Sequence, residues 1–208
     1  MYEPTHVVAT KAEVQAILGD VRPSQVGKVI DHIDPMCRAW IERSPFIVIA
    51  SIDAAGRMDT SPKGDPPGFV KVLDEHTLAI PDRLGNNRGD TFLNIIENPS
   101  VGLVFLMPMR REVVRVSGTA LVVRDPDLLE TMTVNGRRPD LALVVRVREA
   151  FYHCGKAMIR SGMWEPEKWG SVAGLPSYAE ALKQHGSMPD ALPDLERRIR
   201  ANETDRLY

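Results

Sequence analysis

The hydrophobic period of the chain changes at Pro45, and that change restricts the fold more than any other feature. Up to that point the pattern is helical. Beyond it, "FIVIASID" is a continuous apolar run rich in β-branched residues, as a buried strand requires. Across the turn "AAG", "RMDTSPKGD" follows as a second strand, so the two form a hairpin. "FVKVLD" and "TLAIPD" flank the acidic turn Asp74–Glu75 and form another. "SVGLVFLMP", "EVVRVSGTALVVR" and "ALVVRVREAFYHC" supply further strands. "GDTFLNIIEN" reads as a helix with Phe92, Ile95 and Ile96 on one face, stopped by Asn98–Pro99. "DPDLLETMTV" holds a shorter one. About six strands at hairpin spacing, with only short helices between them, predict an antiparallel barrel.

The flanks are helical and give three segments: an N-terminal extension over 1–44, the barrel over 45–164 and a C-terminal extension over 165–208. "TKAEVQAILG" has Thr10 as N-cap, Glu13 at the capping-box spacing and Gly19 as its stop. Ser24 takes the N-cap role in "SQVGKVIDHI". Pro35 interrupts, and "MCRAWIERS" starts another helix. In the tail, "KAMIRSGMW" suggests a turn or two of helix, and "SYAEALKQHG" and "DLERRIRANE" read as terminal helices. Prolines 166, 176, 189 and 193 separate them. There is no internal repeat.

Composition narrows the partners. The 208 residues carry a formal charge of −2, so nothing global calls for nucleic acid or an anionic membrane surface. Any anion site must be a local cluster. No apolar run approaches the ~20 residues of a membrane span. The start lacks a basic region followed by an apolar core. Cys37 and Cys154 lie far apart and make no disulfide framework. A cytoplasmic protein with reduced thiols is the expectation.

One local cluster stands out. "AIPDRLGNNRGDTFLNI" runs from a strand end to a helix start. Helix N-termini offer unpaired N–H groups and the positive end of the dipole, which suits phosphate. Arg83 and Arg88 add charged donors, and Asn86 and Asn87 add neutral ones. By composition alone, a solvated polar turn fits as well. In "DTSPKGD", alternation puts Asp59, Ser61 and Lys63 on one strand face, suited to an anionic, hydrogen-bonding ligand. Pro62 cannot donate to a ladder and marks an edge or bulge. An ordinary charged edge strand is the competing reading. Arg115 lies between valines and faces away from the core. His153 and Cys154 are adjacent, so a strand sends them to opposite faces, and neither a metal site nor a nucleophilic pair follows. Trp164 precedes Pro166 in an irregular segment and suits packing over something flat. No dinucleotide fingerprint, Walker A loop, H-E-x-x-H or G-x-S-x-G is present. The five histidines are scattered and no metal constellation is visible.

The succession of these pieces resembles the pyridoxamine 5′-phosphate oxidase-like flavoproteins, the FMN-binding split barrels. The resemblance spans roughly Ser44 to Trp164. The strings "SPKGD", "IPDRLGNNRGDT" and "FYHCGKAMIRSGMW" are similar to a bacterial branch known only as FMN-dependent flavoproteins. It implies a six-stranded antiparallel split barrel and a homodimer with FMN in clefts between subunits. Asp59, Thr60, Ser61, Pro62 and Lys63 would line the flavin ring and ribityl chain. Pro81 and Asp82 would lie beside them. Arg83, Asn87 and Arg88 would hold the phosphate, and Trp164 of the other subunit would cover part of the site. Lys63 would stabilise the anionic reduced ring.

The departures from the family pattern concern the substrate. Met58 stands where members that oxidise pyridoxamine phosphate carry arginine. Val113 stands where they carry glutamine. Their C-terminal Trp and Arg-x-His pattern is not recognisable around Trp164 or Trp169. The resemblance therefore implies an FMN-dependent oxidoreductase of unassigned substrate, without the vitamin B6 site and without an assignable acid or base. A deazaflavin reductase, a non-catalytic flavin or haem carrier, a redox sensor and a cofactor-free interaction protein stay open on the same scaffold.

Overall fold

Residues 1–208 are described by a computed structural model. The seven strands are β1 (Phe46–Ile52), β2 (Met58–Gly64), β3 (Lys71–Asp74), β4 (Thr77–Pro81), β5 (Ser100–Leu106), β6 (Val113–Val123) and β7 (Ala142–His153). They form one antiparallel sheet in the order β2-β1-β5-β6-β7-β4-β3. This corrects the expected six-stranded barrel: there are seven strands, and the sheet is open. The hairpin after Pro67 contributes the additional strand, β3, which pairs only with β4 and slips register between Val72 and Asp74. The two edges, β2 and β3, do not pair. Pro62 has no N–H to offer on β2, and Pro66 and Pro67 stiffen the chain between the edges.

The core lies on one face of the sheet. Ile47 and Ile49 of β1, Leu78 and Ile80 of β4, Leu103 and Phe105 of β5 and Val114 of β6 are all essentially inaccessible. Every residue of β4 is buried because both its faces are covered. Leu78 and Ile80 join the main core, while Ala79 packs in a second cluster with Leu129, Met132 and Ala142. β6 and β7 are the longest strands, joined through a bulge at Ser117–Gly118. A Cβ on Gly118 would lie 1.9 Å from the Arg146 carbonyl oxygen, so only glycine fits there.

Three helices precede the sheet: α1 (Lys11–Leu18), α2 (Pro23–Gly27) and α3 (Pro35–Ile41). α1 has the expected capping box from Thr10 and Glu13 and buries nothing. Two expectations here are corrected. α2 opens at Pro23, with Ser24 inside it and no side-chain cap. Pro35 starts a helix instead of breaking one: Asp34 caps α3 by accepting from the Cys37 N–H at 2.7 Å. Proline at a first helical position loses no hydrogen bond, since that N–H has no partner anyway. Ile33, Cys37, Trp40 and Ile41 belong to the main core. The remaining helices are α4 (Asp90–Glu97), α5 (Pro126–Glu130), α6 (Lys156–Ser161), α7 (Tyr178–His185) and α8 (Leu192–Asp205). α4 packs on β1, β2 and β6 and so sits beside the β2 edge. No helix is long and apolar enough to cross a membrane.

Candidate functional site

Antiparallel pairing decides which way the β2 row points. Ile47, Ile49 and Ser51 of β1 are buried, and their partners across the ladder are Lys63, Ser61 and Asp59. Directly opposed residues share a face, so the polar row of β2 lies on the core side of the sheet. Asp59, Ser61 and Lys63 are accordingly half-buried, while Met58, Thr60 and Pro62 are exposed. The core stops at β2, and a cleft of about 980 Å³ takes its place.

The other wall is the connection from β4 into α4. Asn87 and Gly89 both adopt left-handed backbone angles, at φ 59° and 68°. Asn86 accepts from the Arg88 N–H through its side-chain oxygen at 3.0 Å, which tightens the loop. α4 then starts without a side-chain cap. Its first main-chain bond runs from the Leu93 N–H to the Gly89 carbonyl, so the N–H groups of the first turn face the cleft end without intrahelical partners. Arg88 donates Nε to Asp90 at 2.6 Å, which offsets the one acid at this helix end. Its terminal nitrogens remain for another acceptor. Thr91 donates to Asp59 at 3.1 Å and ties α4 to β2.

Ten of the eleven site residues expected from the sequence come together here. Asp59 to Lys63, Asp82, Arg83, Asn87 and Arg88 line the main cleft. Pro81 lines an adjoining hollow of about 330 Å³ with Ser61, Pro62 and Lys63. Trp164 is elsewhere in this chain, where its indole N–H donates to the Arg110 carbonyl at 2.7 Å. Of Phe92, Ile95 and Ile96, expected together on one face of α4, Ile95 is buried while Ile96 is exposed and lines the cleft with Phe92. The buried residues of this helix are Thr91 and Ile95, and Phe92 packs half-buried against the main core.

The charges differ in how they are committed. Lys63 lies 5.7 Å from the Phe92 ring centroid and enters no ion pair. Arg83 is well buried and already occupied. It donates Nε to Asp65 at 2.5 Å and a terminal nitrogen to the Met132 carbonyl at 2.8 Å. Burial pushes the Asp82 carboxyl above the ordinary aspartate range, and nearby Lys63 and Arg83 draw it partly back. Val122, Asp140 and Leu141 also line the cleft and were not legible locally. The β4–β7 pairing brings them in: the Asp82 N–H donates to the Leu141 carbonyl at 2.9 Å. His153 lies outside the cleft, its imidazole held toward the neutral form by burial and by the charges of Arg115 and Lys28.

The family model described as pyridoxamine 5′-phosphate oxidase matches residues 33–154, more than half of the chain. The chain belongs to the pyridoxamine 5′-phosphate oxidase family. The matched residues contain the polar row of β2, the basic loop and α4, so the cleft lies wholly within the family region. No curated protein matches the chain. Among solved structures, HupZ of Group A Streptococcus is similar at 22% identity and TM-score 0.48, over 58% of this chain and 93% of that one. A putative pyridoxamine 5′-phosphate oxidase of Lactobacillus delbrueckii is similar at 22% identity and TM-score 0.46, over 59% and 99%. An FMN-binding protein of Syntrophomonas wolfei shares 9% identity at TM-score 0.42, over 56% and 88%.

Proposed function

We propose that this protein binds FMN in the cleft between β2 and α4 and works as an FMN-dependent oxidoreductase. The observation that carries the proposal is the convergence of two polar sequence features on one cleft. The β2 row offers a carboxylate, a hydroxyl and an unpaired ammonium along one wall. The loop into α4 offers unpaired N–H groups, Asn87 and the free nitrogens of Arg88 at the end. A phosphorylated, hydrogen-bonding ring system suits that donor set, and about 980 Å³ lies at the upper end of ligand-pocket sizes.

Bound FMN supplies two-electron redox chemistry, and the protein supplies placement and charge. Asn87, Arg88 and the α4 end bind the phosphate. Asp59 to Lys63 orient the ring and ribityl chain, with Pro81 and Asp82 beside them. Lys63 brings positive charge against the ring without a competing acid. Arg83 acts here through Asp65 and Met132, by fixing the loop. The segment 45–164 is the cofactor-binding unit of a homodimer in which Trp164 of a second copy covers the ring. The substrate is other than pyridoxamine phosphate, in keeping with Met58 at the start of β2 and Val113 at the start of β6.

The test is direct. The purified protein should show flavin absorbance, release FMN on denaturation as identified by mass, and run at about twice its 23.1 kDa mass. Release of a deazaflavin or haem, or a colourless protein with no affinity for FMN, would overturn the reading.

A further inference from the structure

Residues 1–27 are exposed without exception. They nevertheless hold a well-formed element. α1 has a complete capping box and a glycine stop, with Gly19 at φ 76°. Val14, Ile17 and Leu18 recur at helical spacing, so the helix carries an apolar row. Ile17 is 73% exposed and Leu18 78%. An isolated helix shorter than about 12–15 residues is marginal in water, and packing of its apolar face is what makes it persist. α1 has 8 residues and buries none of them in its own chain. The segment is nonetheless fixed at its root. Ile30 and Ala150 exchange both main-chain hydrogen bonds, at 3.0 and 2.7 Å, and Ile33 is buried.

The whole chain shows a matching surplus of surface. It exposes 14283 Å² to solvent. A compact monomer of 23.1 kDa exposes about 9,700 Å². The excess of about 4,600 Å² is several times what each partner buries in a standard interface, roughly 800 Å². Charge decides what kind of surface covers the arm. Lys11 and Arg22 stand against Glu3, Glu13 and Asp20, so the arm has no basic face for an anionic membrane or a nucleic acid. It needs an apolar protein surface, and this chain owns one. Ile47, Ile49, Leu103 and Phe105 point into the core, so their neighbours along β1 and β5 point to the outer side of the sheet. There Phe46 lies opposite Leu106, and Val48 opposite Val104. Phe46 is exposed and the other three are half-buried. α3 and α4 cover the opposite side, where Trp40, Ile41 and Ile95 join the core.

We infer that residues 1–27 are an exchanged arm, with the apolar row of α1 seated on the outer sheet face of a second copy, at Phe46, Val48, Val104 and Leu106. Two-fold symmetry makes the exchange reciprocal, each copy giving one arm and receiving one. The arm is then the clasp of the dimer. This deepens the homodimer reading and rests on it, and it is independent of FMN.

Sedimentation and amide hydrogen exchange of the full chain test the clasp together. The wild type should be a dimer with slowly exchanging α1 amides, and dilution to the monomer should release them. Leu18→Asp should weaken the dimer about tenfold or more and free the α1 amides, as loss of a buried anchor does. Ala16→Asp puts the same charge on the opposite side of the helix and should change neither. Phe46→Asp should free α1 from the receiving side. Four results overturn the clasp and leave the homodimer standing: a dimer whose α1 amides exchange as in an unfolded peptide, a dimer unweakened by Leu18→Asp, equal losses in Leu18→Asp and Ala16→Asp, or α1 protection kept in Phe46→Asp. A monomer at every concentration refutes clasp and homodimer together, and cofactor release from the same sample judges FMN separately. A clasped dimer with no affinity for FMN refutes the cofactor reading alone.

Discussion

Arg83 and Arg88 sit in the same polar loop, yet they have different work. The Asp65 side chain is 1% exposed and Arg83 is 16% exposed, so their pair is nearly sealed from water. Removing one partner of a buried pair leaves the other charge uncompensated, at a cost on the order of 3 kcal/mol. Arg83→Ala should therefore lower the urea midpoint of the FMN-free chain, with a loss of about that size. Nothing in the loop's own sequence separates the two arginines. Asp65 lies 18 residues upstream, and Met132 and Tyr208 are farther away, so Arg83's commitment is visible only after folding. Asp82 makes a second prediction, through pH. Its folded carboxyl binds protons more tightly than the unfolded one because burial disfavours the charge. Between the two pKa values the folded state holds more protons, so stability falls as pH rises through that window. At neutral pH the ionised group costs stability. Asp82→Asn should raise the melting temperature at pH 7, and the gain should shrink as pH falls through the raised folded pKa and be lost by the ordinary aspartate pKa. A gain of the same size at low pH would contradict the assignment.

At the scale of elements, the bulge between β6 and β7 is the tightest point of the sheet. The atom facing Gly118 is a backbone oxygen at 1.9 Å from the would-be Cβ, and it cannot rotate away. Gly118→Ala must separate the two longest strands locally, and overpacking of this kind costs about 1–3 kcal/mol. Chemical denaturation would read that loss, and an unchanged midpoint would mean the strands can part without penalty. The same strands show what sequence pattern conveys. Apolar runs of β-branched residues locate β1, β5, β6 and β7 because burial writes itself into composition. β3 lies within the predicted strand "FVKVLD", and what escapes is the total of seven, since four residues carry too little period to fix how the strand joins the sheet. The open edge escapes too, since closure depends on whether β2 and β3 meet, which is a long-range event. The polar row of β2 is half legible. Alternation puts Asp59, Ser61 and Lys63 on one face, but only the pairing with Ile47, Ile49 and Ser51 reveals that it is the core face. The capping box at Thr10 is fully local and matches.

For the whole molecule, the relevant quantity is how a ligand that binds only the folded chain shifts its unfolding. Such a ligand contributes about 2.7 kcal/mol when its free concentration is 100-fold above Kd, whatever the protein. The family region holds both walls of the cleft, one on the β2 edge and one on the loop into α4, joined by the Thr91–Asp59 bond. Filling the cleft should therefore stabilise the sheet edge and α4 together, as one cooperative rise in melting temperature. FMN and riboflavin differ only in the phosphate, so the difference between their effects isolates the α4 end. FMN should raise the melting temperature more than riboflavin at equal concentration. If Arg88 holds the phosphate as proposed, FMN affinity should fall about tenfold in Arg88→Ala while riboflavin affinity stays the same. The gap between the two ligands should then narrow, with the ligand-free melting temperature nearly unchanged, since the Arg88 side chain is 70% exposed. Equal rises with both ligands in the unmodified chain would put the binding energy in the ring and ribityl chain alone, and would remove the phosphate from the uncapped end of α4.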